Sequence, residues 1–300
     1  MIKLIPETNI DFLGRRKFTY ILSGILLLIS LLSLFLFRGL NYGIDFSGGT
    51  VLHLAFREAI KTEDLRAILE KMGVKSAMVQ KYVEGYEFII KVGPADYQRL
   101  GNFSSDLLSM LRTYFPNTQP EILKEETVGP RIGKELQRNT MIALILGIIG
   151  ILIYVSFRFD FRFGTGAILA LIHDAVISTG FVSLFSIPVN IPVVAALLTI
   201  IGYSVNDSIV VSDRVRENLK KMRKDNFLLI LNQSINETLS RTILTALTTI
   251  LVTVILAIFG AAEIRDFARI MTFGIIIGTY SSIYIVCALV FDWQRKSPRK

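Results

Sequence analysis

The sequence has one cysteine, Cys287, and two histidines, His53 and His173. A single thiol cannot build a disulfide framework within the chain, and Cys287 lies inside an apolar block. No His/Cys cluster, Ser-His-Asp order or Walker motif is present. An enzyme with a nucleophile–base pair or a metal centre is therefore not expected, and neither a cofactor nor a metal is. Charge is also missing from several long stretches, each about as long as a bilayer core is thick.

What is present is hydrophobic residues, 52% of 300, with a mean hydropathy of +0.52. The excess over an ordinary soluble domain is modest on average but concentrated in those charge-poor blocks. The formal net charge is +8. Acids and bases nearly balance between Arg38 and Arg138. The basic surplus lies in short segments flanking apolar blocks: Lys3 and Arg15 to Lys17, then Arg158 and Arg162, then Arg214 to Lys224, then Arg295, Lys296, Arg299 and Lys300. This is the distribution of topogenic charge, so a nucleic-acid partner is not expected. The run after Lys17 is too long for a cleaved signal and lacks a small-residue cleavage site, so it reads as an anchor.

Six spans are expected, over residues 18–37, 139–157, 163–185, 191–211, 242–259 and 267–291. The weakest boundary, between the third and fourth, is punctuated by Pro188 and Pro192. With six spans the basic groups all fall on one side, Arg265 excepted. That side is read as cytoplasmic, with residues 1–17 and 292–300 as cytoplasmic termini and residues 212–241 as a cytoplasmic loop. The fold class is then an α-helical polytopic membrane protein of the cell (inner) membrane. It carries a small α+β extracytoplasmic domain, residues 38–138, outside the bundle of 139–291.

The outer segment alternates in pattern. Residues 51–56 read as a strand and 62–72 as a helix with Thr62 as N-cap and Leu65, Ile68, Leu69 and Met72 on one face. Residues 76–83 and 87–92 read as strands flanking a turn at Glu84-Gly85. Residues 96–114 read as a second helix stopped by Pro116, and 121–128 as a last strand. The order β-α-β-β-α-β is the ferredoxin-like split pattern, which alone specifies no function. His53 reads as a surface or strand histidine. The segment Gly43-Ile44-Asp45-Phe46-Ser47-Gly48-Gly49-Thr50 precedes a strand, not the helix and Lys-Ser/Thr of a phosphate loop. It reads as a structural turn with Gly43, Asp45, Gly48 and Gly49 as its motif residues.

Ionisable residues inside a span cost a few kcal/mol or more and usually face inward for a function. Asp207 is the clearest, within Gly202-Tyr203-Ser204-Val205-Asn206-Asp207-Ser208. Spans four and five run antiparallel, so Asp207 and Arg241 fall at similar depth. A pair there would neutralise itself, and protonating the Asp would release the Arg. The alternative is that Arg241 only snorkels to headgroups. His173-Asp174 lies deep in span three, either extending a proton relay or hydrogen-bonding neighbouring helices. Small residues, among them Gly164, Gly166, Gly202, Gly274 and Gly278, allow close helix approach.

Taken together these motifs resemble the SecF branch of the SecD/SecF family, in the resistance-nodulation-division superfamily. The residues that carry the resemblance are Gly43 to Thr50, Val128-Gly129-Pro130, Ile172-His173-Asp174, and Gly202 to Ser208 with Asn206 running on to Asp213-Arg214-Val215-Arg216-Glu217-Asn218. The resemblance implies a partner of the SecD type, the SecYEG channel, a translocating polypeptide, protons, membrane lipid and optional accessory subunits. It implies that the proton gradient drives export, with Asp207 and Arg241 carrying the proton-coupled step. A proton-driven exporter of small molecules or lipids from the same superfamily is the alternative. That reading predicts twelve spans or a homo-oligomer and larger outer domains, against six spans and one small domain.

Overall fold

A computed structural model of the chain describes residues 8–74, 77–83, 86–96, 101–222 and 225–296. The expected turn at 84–85, residue 76 of the second strand and residues 97–100 of the second helix lie outside the described residues. So do Lys3, Arg223, Lys224, Arg299 and Lys300. In chain order the elements are α1 (Arg16–Leu32, continued by a π turn over Ser33–Phe37), α2 (Ile44–Ser47), β1 (Gly49–Ala55), α3 (Thr62–Lys71), β2 (Met78–Val83), β3 (Glu87–Val92) and α4 (Phe103–Tyr114). They continue with β4 (Glu121–Val128), α5 (Pro130–Arg158), α6 (Phe161–Leu184), α7 (Ile191–Lys221), α8 (Phe227–Phe259) and α9 (Ala262–Lys296). The chain divides into two compact units, Tyr42–Ile142 and the union of Met1–Asn41 with Ala143–Lys300.

The first of these is a four-stranded sheet in the order β2-β3-β1-β4, with every neighbouring pair antiparallel. That is the split order the sequence pattern predicts for a ferredoxin-like fold. Alternation on β1 and β3 sends Leu52, Leu54, Phe88, Ile90 and Val92 to one face, where α3 and α4 cover them. Leu65, Ile68 and Leu69 come from α3, and Phe103, Leu107 and Leu111 from α4, at helical spacing. Two details differ from expectation. Lys61, not Thr62, is the N-cap of α3: its backbone is extended (φ −86°, ψ 146°), Thr62 is already helical, and no side chain caps the helix. The second helix begins at Phe103, because Gly101 takes a left-handed conformation (φ +64°) that no helix continues through. His53 sits on β1 with Nε2 2.9 Å from Glu87 Oε2.

The glycine segment is a local packing device. Gly43 caps the single turn of α2, whose Ser47 hydroxyl donates back to the Gly43 carbonyl at 2.9 Å; Asp45 lies in that turn. Gly48 (φ +71°) and Gly49 (φ +118°) then reverse the chain into β1. A Cβ on Gly49 would collide with the Val92 carbonyl oxygen, and one on Gly48 would lie 3.2 Å from Val128 O. A Cβ on Gly133, in the first turn of α5, would lie 3.1 Å from Gly48 N. Gly49→Ala is therefore expected to destabilise this unit by about 1–3 kcal/mol, from a non-glycine residue forced to positive φ. A lowered melting temperature and reduced accumulation of the full chain would show it, and a wild-type melt would refute it.

Six helices among the described residues are long and apolar enough to cross a membrane: Leu13–Phe37, Pro130–Arg158, Phe161–Leu184, Ile191–Lys221, Phe227–Phe259 and Ile264–Gln294. α9 is the central one, 67% buried in its apolar window against 17% for α1 and α8. Glycines set how closely helices approach it. A Cβ on Gly166 would lie 3.1 Å from Val290, one on Gly278 3.2 Å from Ser204, and Gly274 is tight against Ile200. α1 is inside-out relative to a soluble helix. Its apolar residues are exposed, and the residues it buries are Thr19, Ser23 and Ser30. Ser23 bonds Tyr280 at 3.0 Å, Ser30 fits against Gly180, and Ser33 bonds Ser183 at 2.9 Å.

The expected loop over 212–241 is mostly helix. α7 continues to Lys221 and α8 starts at Phe227. The apolar stripes of both helices simply run on, with Val211 and Val215 facing Leu231, Ile235 and Leu239 in one buried cluster. Asp213 and Arg214 are therefore mid-helix residues and not part of a loop. Arg214 Nε donates to Glu237 at 2.6 Å, Asn218 Nδ2 donates to Glu237 at 2.7 Å, and Arg158 pairs with Asp213.

Candidate functional site

Asp174 has 0% exposure and is the meeting point of three helices. Its Oδ1 lies 2.8 Å from His173 Nδ1 on the same helix, α6. Its Oδ2 accepts from Ser204 of α7 at 2.5 Å and from Ser281 of α9 at 2.6 Å. Small residues on α6 and α9 make this approach possible, since Gly278 lies one turn from Ser281 and directly against Ser204. Three donors satisfy the carboxylate, and no Lys or Arg does. His173 is 6% exposed, its ring 6.3 Å from that of Tyr280, and its Nε2 has no partner among the described residues. These contacts tie α6, α7 and α9 together through Asp174.

Asp207 is 2% exposed and differs in kind. Its Oδ2 is buried and has no hydrogen-bond partner among the described residues. Arg241 of α8, the helix packed beside α7, is exposed and forms no ion pair with that carboxylate. Of a direct pair and an outward-turned Arg241, the contacts show no pair: Arg241 is exposed on α8 while Thr242 beside it turns in, 1% exposed. Ser204 and Ser208 lie on the buried face of α7 with Asp207, and the Ser208 hydroxyl donates to the Ser204 carbonyl at 3.1 Å. One turn of α7 therefore connects the satisfied carboxylate of α6 to the unsatisfied one of α7.

Gly202 and Asn206 point the other way. Both are exposed and line a crevice of about 420 Å³ between α5 and α7, with Gly147, Gly150 and Tyr154. The motif of α7 is thus split between two faces. Sequence reasoning missed Ser204 and Ser281 as the partners of Asp174. Their signal was a hydroxyl pair in otherwise apolar blocks, at helical positions that only the packing could bring together.

Six apolar helices with a ferredoxin-like unit between the first two, and carboxylates buried among the helices, define a multi-pass membrane protein. Comparison with known sequences assigns it further. Residues 108–296 match the family model described as protein export membrane protein SecD/SecF, C-terminal, and residues 33–59 match the SecD/SecF GG motif. The chain belongs to the SecD/SecF family. It is 45% identical over 287 residues to the protein translocase subunit SecF of Calditerrivibrio nitroreducens, covering 95% of this chain and 94% of that one. It is 43% identical to the protein translocase subunit SecDF of Thermus thermophilus, covering 97% of this chain and 40% of the relative. The crystal structure of that SecDF, a translocon-associated membrane protein, superposes with a TM-score of 0.84 at 42% identity, over 96% of this chain and 39% of SecDF. This chain spans about two fifths of the fused relative, which joins SecD and SecF in one polypeptide.

Proposed function

We propose that this chain is the SecF half of a SecD–SecF pair that uses the proton motive force to assist protein translocation through the SecYEG channel. The observation that carries the reading is Asp207, a buried carboxylate without a hydrogen-bond partner through Oδ2, with the Arg241 charge on the adjacent helix. A charge held so deep in a span is costly and is retained where it binds or relays an ion. Proton binding at Asp207 changes its attraction to Arg241, and with it the packing of α7 against α8. His173, Asp174, Ser204 and Ser281 pass that change to α6 and α9. The sheet-containing unit is the part that responds to the emerging polypeptide. The basic residues support an orientation: Arg16, Arg158 and Arg216 pair with Asp292, Asp213 and Asp160. By the positive-inside rule the side that carries them, and with it both termini, is read as cytoplasmic.

The test is export of a secretory precursor into inverted membrane vesicles containing SecYEG and a SecD partner, with and without this chain. Adding the chain is expected to speed completion of export only while a proton gradient is present. Equal acceleration after an uncoupler, or co-purification without any SecD-type subunit, would overturn the proposal.

A further inference from the structure

Residues ahead of α1 form a strap across the bundle end that the preceding reading places in the cytoplasm. Two asparagines of α8 hold its backbone. Asn236 accepts from Ile10 N and donates to Ile10 O, both at 2.9 Å. Asn232 accepts from Phe12 N at 3.1 Å and Leu13 N at 3.0 Å, and donates to Asp11 at 2.7 Å. Arg16 and Tyr20 tie the strap's other end to Asp292 of α9, both at 3.1 Å. Two of the strap's apolar side chains turn inward, Phe12 at 4% and Leu13 at 1% exposure, while Ile10 stays exposed. They enter a cluster with Val211 and Val215 of α7, Leu231, Ile235 and Leu239 of α8, and Ile283 and Cys287 of α9.

Helical spacing shows what this cluster covers. Asp207 precedes Val211 and Val215 by one and two turns on the same face of α7. Thr242 follows Leu239 by three residues on α8, and Thr279 precedes Ile283 by four on α9. Each of the three carries a buried polar atom without a partner among the described residues: Asp207 Oδ2, Thr242 Oγ1 and Thr279 Oγ1. Three helices thus each present one unpaired polar atom about one turn deeper than a shared apolar cluster. The charged groups around that cluster, Arg214 with Glu237 and Arg16 with Asp292, are engaged with each other at its rim. Arg241 is exposed on the outer side of α8.

We infer that Phe12 and Leu13 are a stopper that seals Asp207 from the cytoplasm, held shut by Asn232 and Asn236. The inference rests on the reading of Asp207 as a proton site. A proton leaving Asp207 toward the cytoplasm must cross this plug, so the strap sets when release occurs. These are positioning residues and touch no proton themselves.

The test is thiol accessibility in inside-out vesicles carrying the full chain with its native partners. On a Cys287→Ala background, a cysteine at the sealed position, Thr242→Cys, is treated with a small cationic methanethiosulfonate, and an exposed reference on the same helix, Leu229→Cys, is treated alongside. The expected result is slow labelling at 242 with the native strap. Phe12→Ala is expected to accelerate it at least about tenfold, because removing a buried aromatic opens the site locally. The double variant Asn232→Ala and Asn236→Ala frees the strap without altering its apolar side chains, and decides the matter should Phe12→Ala fail to accumulate. Labelling at 242 as fast as at 229 with the native strap would overturn the stopper, and so would rates unmoved by releasing it. Proton coupling is read separately. If Asp207→Asn exports normally, the proton reading falls while the labelling result stands.

Discussion

Asp207→Asn is expected to abolish the part of export that depends on the proton gradient while leaving the bundle folded. The two halves of this prediction have different grounds. Asparagine has nearly the shape of aspartate, and Asp207 Oδ2 accepts no hydrogen bond from any described residue, so an amide nitrogen there removes none. Replacing a buried carboxylate by a neutral group also removes a desolvation cost. The melting temperature should therefore equal or exceed that of the native protein, the pattern of a site kept for activity at the expense of stability. Function fails because the amide cannot bind and release a proton, and its attraction to Arg241 no longer varies. Asp207→Glu keeps the titratable group and should restore part of the activity, provided the longer side chain is accommodated beside Ser204 and Ser208. Proton flux and precursor export in vesicles, read beside a melt of the purified protein, would check both halves. Wild-type proton-dependent export in the Asn variant would remove Asp207 from the coupling step. A large drop in melting temperature would mean that the carboxylate has a structural partner.

How much of this was legible in the sequence depended on which force fixed each feature. The six spans were legible because a hydrocarbon core demands a minimum length of uncharged helix, and block length shows that directly. The sheet order followed from alternating periods and turn residues, since Leu52 and Leu54 on β1 and Leu65, Ile68 and Leu69 on α3 repeat at periods only one element type allows. Helix ends were less legible. Charge density at 212–241 suggested a loop, but the apolar stripe of Val211, Val215, Leu231 and Ile235 continues beneath those charges and outweighs them. The interior hydrogen bonds were the least legible. In lipid the residues that join helices are hydroxyls and glycines, which carry no periodic hydrophobic signal. Hence α1, read as a uniform anchor, hides the stripe of Thr19, Ser23, Ser30 and Ser33 by which it docks. Spacing alone put Asp207 and Arg241 at similar depth on antiparallel helices. Whether they touch depends on helix rotation, which turned Thr242 inward instead.

Asp174→Leu is expected to cost the bundle more stability than any other single change at this site, whereas Asp174→Asn should cost little. The carboxylate accepts from His173 Nδ1 through one oxygen and from Ser204 and Ser281 through the other. Leucine fills the volume but leaves His173 Nδ1 and the Ser204 hydroxyl without that acceptor at a site of 0% exposure, while Ser281 keeps the Gly278 carbonyl at 3.1 Å. Each buried polar group left unpaired costs about 1–3 kcal/mol. For a chain of this size each corresponds to a fall of roughly 2–12 °C in melting temperature. Asparagine can meet every bond. Its Oδ1 takes both serine hydroxyls, and its amide donates to His173 Nδ1 once the imidazole carries its proton on Nε2 instead. That exchange of tautomer separates two roles. If the group only ties α6, α7 and α9 together, Asp174→Asn keeps both fold and proton-coupled export. If it also relays protons, Asp174→Asn folds normally and loses export as Asp207→Asn does. A Leu variant that melts within a degree or two of the native protein would show that the three-helix tie contributes little. The bundle would then rest on the apolar and glycine contacts around α9 alone.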